Sequence, residues 1–295
     1  MKLPDNLHQK AIVVTGATSG IGLGAASVLA RSGALVIGVG RSEANIQQAT
    51  EMIMQANPEA HLQFFLAELS SQHRVHMLGL QIQKYLQTTT DGKLHALINN
   101  AGTVANRFTA TEDGYELQFA VNHLASFHLT HLLLPQLCKA PESRVVTVSS
   151  NSHRRMRIHW QDVMFRRNYN TLLAYKQSKL ANVLFTYEFN RRFGENGTAH
   201  AYAADPGLVN TDIGLKGTYG LVRWIWQRRS RGGADPDVIG QEVAWLAASP
   251  EVNTRVSAYW KHGTPIQPSR YARREREARQ LWELSEKLCG IRFGA

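Results

Sequence analysis

The sequence predicts an α/β fold built on a doubly wound parallel sheet. Two observations carry that expectation. Strand-like and helix-like stretches alternate without a break from residue 11 to residue 207, the order that successive βαβ units produce. The strand-like stretches are apolar throughout instead of alternating with polar residues, as strands covered by helices on both faces should be.

The elements justify themselves in order. "AIVVTG" (11–16) is β-branched and uninterrupted, and a helix follows from about Gly20 to Ser32. "ALVIGVG" (34–40) is a second buried strand. The helix "EANIQQATEMIMQAN" (43–57) stops at Asn57-Pro58, because a residue before proline is pushed out of the helical region. "LQFFLAEL" (62–69) is the third strand, and the apolar residues of "SQHRVHMLGLQIQKYLQ" (71–87) recur at helical spacing. "LHALINNAG" (94–102) is a fourth strand running into a turn, and a long helix is expected over roughly 113–138. "RVVTVSS" (144–150) is the fifth strand; residues 151–170 are irregular, basic and aromatic. A helix over 172–193 leads to the sixth strand, "AHAYAADPG" (199–207), which a Pro-Gly break ends. Beyond it come an aromatic-basic helix (about 218–230), a helix (237–248), a short strand "SAYW" (257–260) and a charged terminal helix. No linker rich in Pro, Gly or Ser separates these from the rest, so residues 1–295 are read as a single domain.

Bulk composition narrows the function classes. Hydrophobic residues make up 43% and charged residues 19% of the 295, which excludes a disordered chain. Lys and Arg number 33 against 23 Asp and Glu, a formal charge of +10. The excess gathers at Arg154, Arg155, Arg157, Arg166 and Arg167, at Lys216, Arg223, Arg228, Arg229 and Arg231, and between Arg270 and Arg279. Such clusters can meet phosphates or an acidic surface, but solvated surface charge is the ordinary reading. Cys138 and Cys289 lie far apart and form no ligand spacing, so no metal site is expected and a reducing, cytoplasmic setting fits. "MKLPDNLHQK" is too polar for a signal peptide, and no apolar run approaches membrane-spanning length.

Four strand ends carry chemistry. "TGATSGIG" (15–22) follows a strand and opens a helix. Gly16, Gly20 and Gly22 would let backbone approach a pyrophosphate, and the helix N-terminus around Ser19 and Ile21 would supply N–H groups for it. The next strand ends in Arg41 where an acidic residue would bind ribose hydroxyls; an arginine there suits a 2′-phosphate and favours NADP. "NNAG" (99–102) ends the fourth strand, and Asn100, Ala101 and Gly102 would let a cofactor pass close to the chain. "VSS" ends the fifth, where a serine can hydrogen-bond a substrate carbonyl; the G-x-S-x-G pattern of a serine nucleophile is absent. Tyr175 and Lys179 in "YKQSK" stand four apart and share a helix face. An ammonium beside a phenol lowers its pKa and makes tyrosine a usable acid or base. Alone, such a pair reads as a surface tyrosine stacked over a lysine stem; the strand-end motifs beside it favour the chemical reading.

Taken together, T-G-x-x-x-G-x-G (15–22), N-N-A-G (99–102), the strand-end serine and Y-x-x-x-K (175–179) resemble the short-chain dehydrogenase/reductase family over about residues 9–262. "AYKQSKLANVLFTYEFNRR" and "LWELSEKLCGI" resemble retinol dehydrogenase-like members in particular. The resemblance implies a Rossmann fold, NADP(H) as cofactor and a catalytic set of Asn122, Ser150, Tyr175 and Lys179, with Tyr175 the general acid/base and Lys179 also on the nicotinamide ribose. It implies cofactor contacts at Glu68-Leu69, which stands where the family commonly has Asp-Leu, and at Pro206, Gly207, Val209 and Thr211 in "DPGLVNT". It also implies a small apolar alcohol or carbonyl substrate, allows a homo-oligomer, and gives no role to nucleic acid. Leu221, Val222, Trp224, Ile225 and Trp226 crowd among arginines in the segment where the family places a mobile flap. A substrate lid is therefore expected over about 212–235, with weak peripheral contact to an anionic membrane as a further reading. Other readings are a catalytically silent NADP-sensing or nucleic-acid-binding protein on the same fold, or an epimerase or dehydratase, which would space the glycines differently.

Overall fold

In the computed structural model the described residues are 1, 3, 4, 6–194, 199–209, 233–252 and 257–293. Eight strands form one sheet in the order β3-β2-β1-β4-β5-β6-β7-β8. They are β1 Ala11–Thr15, β2 Leu35–Gly40, β3 Leu62–Leu66, β4 Ala96–Asn99, β5 Ser143–Val148, β6 Ala199–Asp205, β7 Tyr259–Lys261 and β8 Thr264–Pro265. Neighbours run parallel from β3 to β7, and β8 turns back antiparallel on β7. The chain builds outward from β1 to β3 and then returns to place β4 on the other side of β1. That reversal opens a crevice at the carboxyl ends of β1 and β4, the place where open α/β sheets bind ligands.

The helices among the described residues are α1 Gly20–Arg31, α2 Glu43–Ala56, α3 Gln72–Thr89, α4 Leu117–Phe119, α5 Ala125–Lys139, α6 Thr171–Phe189, α7 Pro236–Ala248 and α8 Glu275–Cys289. They divide between the two faces of the sheet. Ala11 and Val13 of β1 join one buried cluster with residues of α3, α5, α6 and α8; Ile12 and Val14 join the other with α1, Ile53 of α2, and α7. Successive residues of one strand thus feed opposite cores, which explains why apolar runs and not alternation mark these strands. On the second face α1 and α7 meet backbone to backbone. A Cβ on Gly240 would lie 2.5 Å from Ala25 N, and one on Gly24 would lie 2.9 Å from Asp237 Cα.

The α/β expectation is borne out, with differences at element ends. β3 stops at Leu66, not at residue 69, because Glu68 folds back to accept a hydrogen bond from Ser70 N (3.1 Å). The helix expected from residue 113 begins at Leu117 and is interrupted by a π-helical turn, Ala120–Leu124, before α5. The terminal helix α8 is an integral part of the core. Trp282 is 1% exposed and packs on Phe127 and Phe185 of the neighbouring helices, with Arg192 over its ring at 4.7 Å. No described helix is long and apolar enough to cross a membrane. Most of the expected lid, including the helix over 218–230, lies outside the described residues.

Candidate active site

The glycine loop closes by direct backbone approach. Gly16 and Gly20 are left-handed (φ +65° and +55°), and a Cβ on Gly22 would lie 2.2 Å from Gly16 O. Glycine is required at all three places for those reasons. Thr15 Oγ1 accepts hydrogen bonds from Asn100 N and Ala101 N, both at 3.0 Å, and Asn100 Nδ2 donates to Thr15 O (2.9 Å) and Gly16 O (3.3 Å). The turn after β4, with Gly102 following Ala101, is thereby locked against the turn after β1. Ser19 enters α1 in extended conformation and its hydroxyl caps none of the first amides. Those amides, around Gly20 and Ile21, are of the kind that receive a phosphate.

Arg41 is exposed directly after β2, and Gly40 before it sits so close to the glycine loop that a Cβ there would meet Thr18 Cγ2 at 2.6 Å. Arg41 therefore follows directly on a strand end that packs against the glycine loop. Glu68 and Leu69 lie one strand further out, in the turn after β3, with Leu69 buried. The close glycine approaches and the uncapped start of α1 fit a dinucleotide.

The second half of the site lies at the ends of β5 and β6 and along α6. Asn170 starts α6 by accepting from Leu172 N and Leu173 N, both at 3.0 Å, and so fixes where Tyr175 and Lys179 fall on its face. Lys179 is 2% exposed; its Nζ donates to Val148 O, the last residue of β5, at 3.0 Å and lies 5.7 Å from the centre of the Tyr175 ring. Burial pulls the ammonium down to about 8. Tyr175 is itself nearly buried. Ser149 and Ser150 divide their work. Ser149 is buried and donates to Lys179 O (2.8 Å), whereas half-buried Ser150 leads into the next loop and accepts from Ser152 N (3.2 Å).

Asn122 sits in the π turn. Its Nδ2 donates to Thr103 O (3.1 Å) and Ser178 Oγ (3.0 Å), its Oδ1 accepts from Thr103 N (2.7 Å), and Ser178 Oγ donates to Tyr175 O (2.8 Å). The asparagine therefore ties the turn after β4 to the helix that carries Tyr175. The single π turn in an otherwise α-helical stretch is a common mark of a functional position. His123 beside it is fully enclosed. Its Nε2 donates to Ser285 Oγ (2.9 Å), whose own proton goes to Leu281 O, and burial lowers its pKa to about 4. Pro206 and left-handed Gly207 (φ +68°) follow β6, and Val209 bridges to Ala234; Thr211 lies outside the described residues.

The structure thus gathers Asn122, Ser150, Tyr175 and Lys179 around the ends of β4, β5 and α6, with the glycine loop alongside. Sequence reasoning missed Thr15, Ser178 and Asn182, whose Nδ2 shares the Val148 carbonyl with Lys179 (3.2 Å). Thr15 opens the glycine motif, and Ser178 and Asn182 stand one before and three after Lys179, but no pattern in the sequence names their partners.

A family model described as short chain dehydrogenase matches residues 10–217. Mouse retinol dehydrogenase 14 is 34% identical over 98% of this chain and 88% of its own length. Dehydrogenase/reductase SDR family member 13 of cattle is 34% identical over 97% of this chain and 74% of its own length. Among solved structures, an uncharacterised protein from Mycobacterium paratuberculosis superposes with a TM-score of 0.80 at 32% identity, covering 100% of this chain and 98% of its own. The Thermococcus sibiricus alcohol dehydrogenase solved with 5-hydroxy-NADP shares the fold, with a TM-score of 0.64 at 18% identity, over 88% of this chain and 98% of its own. With the glycine loop, the strand-end turns and the helix of Tyr175 in one crevice, and with relatives matched along nearly its whole length, the chain belongs to the short chain dehydrogenase family.

Proposed function

We propose that the protein is an NADP(H)-dependent oxidoreductase that interconverts an alcohol and a carbonyl on a small apolar substrate. The observation that carries this is the buried Lys179 ammonium beneath the Tyr175 ring, a cation placed to stabilise a phenolate. The bound nicotinamide supplies or accepts the hydride. Ser150 and Tyr175 hold the substrate oxygen. In the reductive direction the Tyr175 hydroxyl releases its proton to that oxygen, and the Lys179 charge stabilises the phenolate left behind. Asn122 holds the turn after β4 against α6, which keeps that turn and Tyr175 in register.

Arg41 is the basis for NADP over NAD, because a guanidinium pairs with a 2′-phosphate in a charge-assisted bond. An apolar substrate is supported by the retinol dehydrogenase relatives and by the exposed apolar side chains Leu173 and Leu208, which stand in sequence beside Tyr175 and Gly207. One domain over 1–295 completes the reading.

The test is Tyr175→Phe. Turnover of a carbonyl panel with NADPH should fall by about 10²–10⁴-fold, the size of a general acid/base contribution, while NADPH binding followed by its fluorescence stays near the wild-type value. A Phe variant that turns over normally removes Tyr175 from the mechanism.

A further inference from the structure

We propose that Asp205 is a positioning residue that holds the serine loop and the Pro206–Gly207 turn in register, an inference that rests on the reaction assigned above. Asp205 is the last residue of β6 and is 2% exposed. A single carboxylate oxygen, Oδ1, accepts two backbone N–H groups from two different segments. One is Asn151 N (3.1 Å), immediately after Ser150; the other is Gly207 N (3.0 Å), in the left-handed turn that ends the strand. The second oxygen, Oδ2, accepts the hydroxyl of Tyr259 at 2.7 Å. Tyr259 is fully buried, and burial, followed by the Asp205 carboxylate, raises its pKa. The phenol therefore keeps its proton and serves as the donor that fixes the carboxylate plane.

The serine loop is held from its other side as well. His153 Nδ1 lies 2.8 Å from Ser150 O, and Ser269 N donates to His153 Nε2 at 3.2 Å. Because Nε2 accepts, the ring proton is on Nδ1, and Nδ1 donates to the Ser150 carbonyl. The Tyr259 ring packs edge-on against this imidazole with centroids 5.0 Å apart. Upstream, Ser149 N donates to Ala204 O at 2.8 Å. The backbone of Ser150 is thus pinned before, at and after the residue, and two of those bonds come from consecutive residues at the end of β6. Asp205 is the one of the two that also fixes the neighbouring turn.

This chemistry needs a group that accepts three donors and brings none of its own, and a buried carboxylate does so. Its consequence is mechanical. The loop that begins at Ser150 and the turn that follows β6 share one oxygen atom, so neither can shift without the other. A misplacement of about 1 Å at a reacting group is worth about 10²-fold in rate.

The experiment compares Asp205→Ala, Asp205→Asn and Tyr259→Phe with the wild-type full chain. Asp205→Ala should lower kcat by about 10²-fold and weaken NADPH binding measured directly by fluorescence. In a Ser150→Ala background the same change should cost no more than about threefold, because positioning a serine that is absent does nothing. Asp205→Asn keeps an Oδ1 for both N–H groups and should recover kcat to within about tenfold of wild type. Arg144→Met, which removes a buried arginine held by Leu246 O and Ser249 O, is the control: it should lower the melting temperature and leave kcat unchanged below that temperature. Should Asp205→Ala not fold, Tyr259→Phe decides, since it frees Oδ2 and should lower kcat at least about threefold. An Asp205→Ala enzyme with wild-type kcat, a full loss that persists in the Ser150→Ala background, or an unaffected Tyr259→Phe enzyme overturns the proposal alone. A wild-type protein that reduces no carbonyl overturns the assigned reaction and this role with it.

Discussion

Replacing Lys179 by methionine should make the protein more stable and inactive at the same time. The side chain is 2% exposed and its ammonium is drawn down from the ordinary 10.5 to about 8 by burial. Because the folded value lies below the unfolded one, the native state binds fewer protons between the two. The charge therefore costs stability in full below pH 8, and that cost disappears as pH rises toward 10.5. Over 2.5 units the cost is about 3 kcal/mol near pH 7, falling to about 1.5 kcal/mol at pH 9.5. Methionine has similar length and no charge, but it gives up the 3.0 Å bond to Val148 O, worth about 1 kcal/mol. The net gain is about 2 kcal/mol at pH 7, close to nothing at pH 9.5. Urea unfolding of the unliganded protein at both pH values reads it directly, and turnover should be lost together with the phenolate's counter-charge. An Lys179→Met protein that is less stable than wild type at pH 7, or equally shifted at both pH values, refutes the claim that the native lysine sits as an uncompensated buried cation.

Two further outcomes follow from geometry already described. Arg41→Ala should weaken NADPH binding by about one to two orders of magnitude, the worth of a charge-assisted pair of roughly 1.5–3 kcal/mol, and leave NADH binding nearly unchanged; equal losses for both cofactors would remove the 2′-phosphate contact. Gly240→Ala should destabilise the fold by about 1–3 kcal/mol, because its Cβ would meet Ala25 N at 2.5 Å and the two backbones must part; an unchanged urea midpoint would show that α1 and α7 are not in such close contact.

The parallel sheet and the crevice were legible because their signals are local. A strand buried on both faces is an unbroken apolar run, and the glycines of residues 16–22 are demanded locally by the left-handed backbone at Gly16 and Gly20 and by the Gly16 carbonyl against Gly22. The π turn was not legible. "FAVNHLASFHL" has the apolar spacing of a continuous helix, and the turn is accompanied by Asn122 bonding Thr103 and His123 bonding Ser285, partners 19 and 162 residues away. The three-donor role of Asp205 was hidden for the same reason, since Asn151 and Tyr259 are each 54 residues from it. In "DPG" the aspartate reads as turn chemistry. The end of β3 at Leu66 was misjudged because Ala67, Glu68 and Leu69 continue an apolar-rich pattern, while the bond that breaks it, Ser70 N to Glu68, is a side-chain one.

The position of α8 bears on how the chain comes to be folded during its synthesis. Leu288 accepts the Tyr115 hydroxyl across 173 residues, Ser285 meets His123 across 162, and Phe293 packs on Phe127 and Trp282. On this face the sheet and α5 can form while the chain is still growing, but the layer that seals them, residues 275–293, is made only after every strand of the sheet. Until about residue 293 has emerged, the ring faces of Phe127 and Phe185 stay uncovered on a nearly finished domain, the kind of surface that invites wrong association. Closure then depends on contacts of very long sequence separation, which form slowly. Translation stalled before α8 would leave a sheet with its strands paired and one helical face wet, a species that chaperones would be expected to hold.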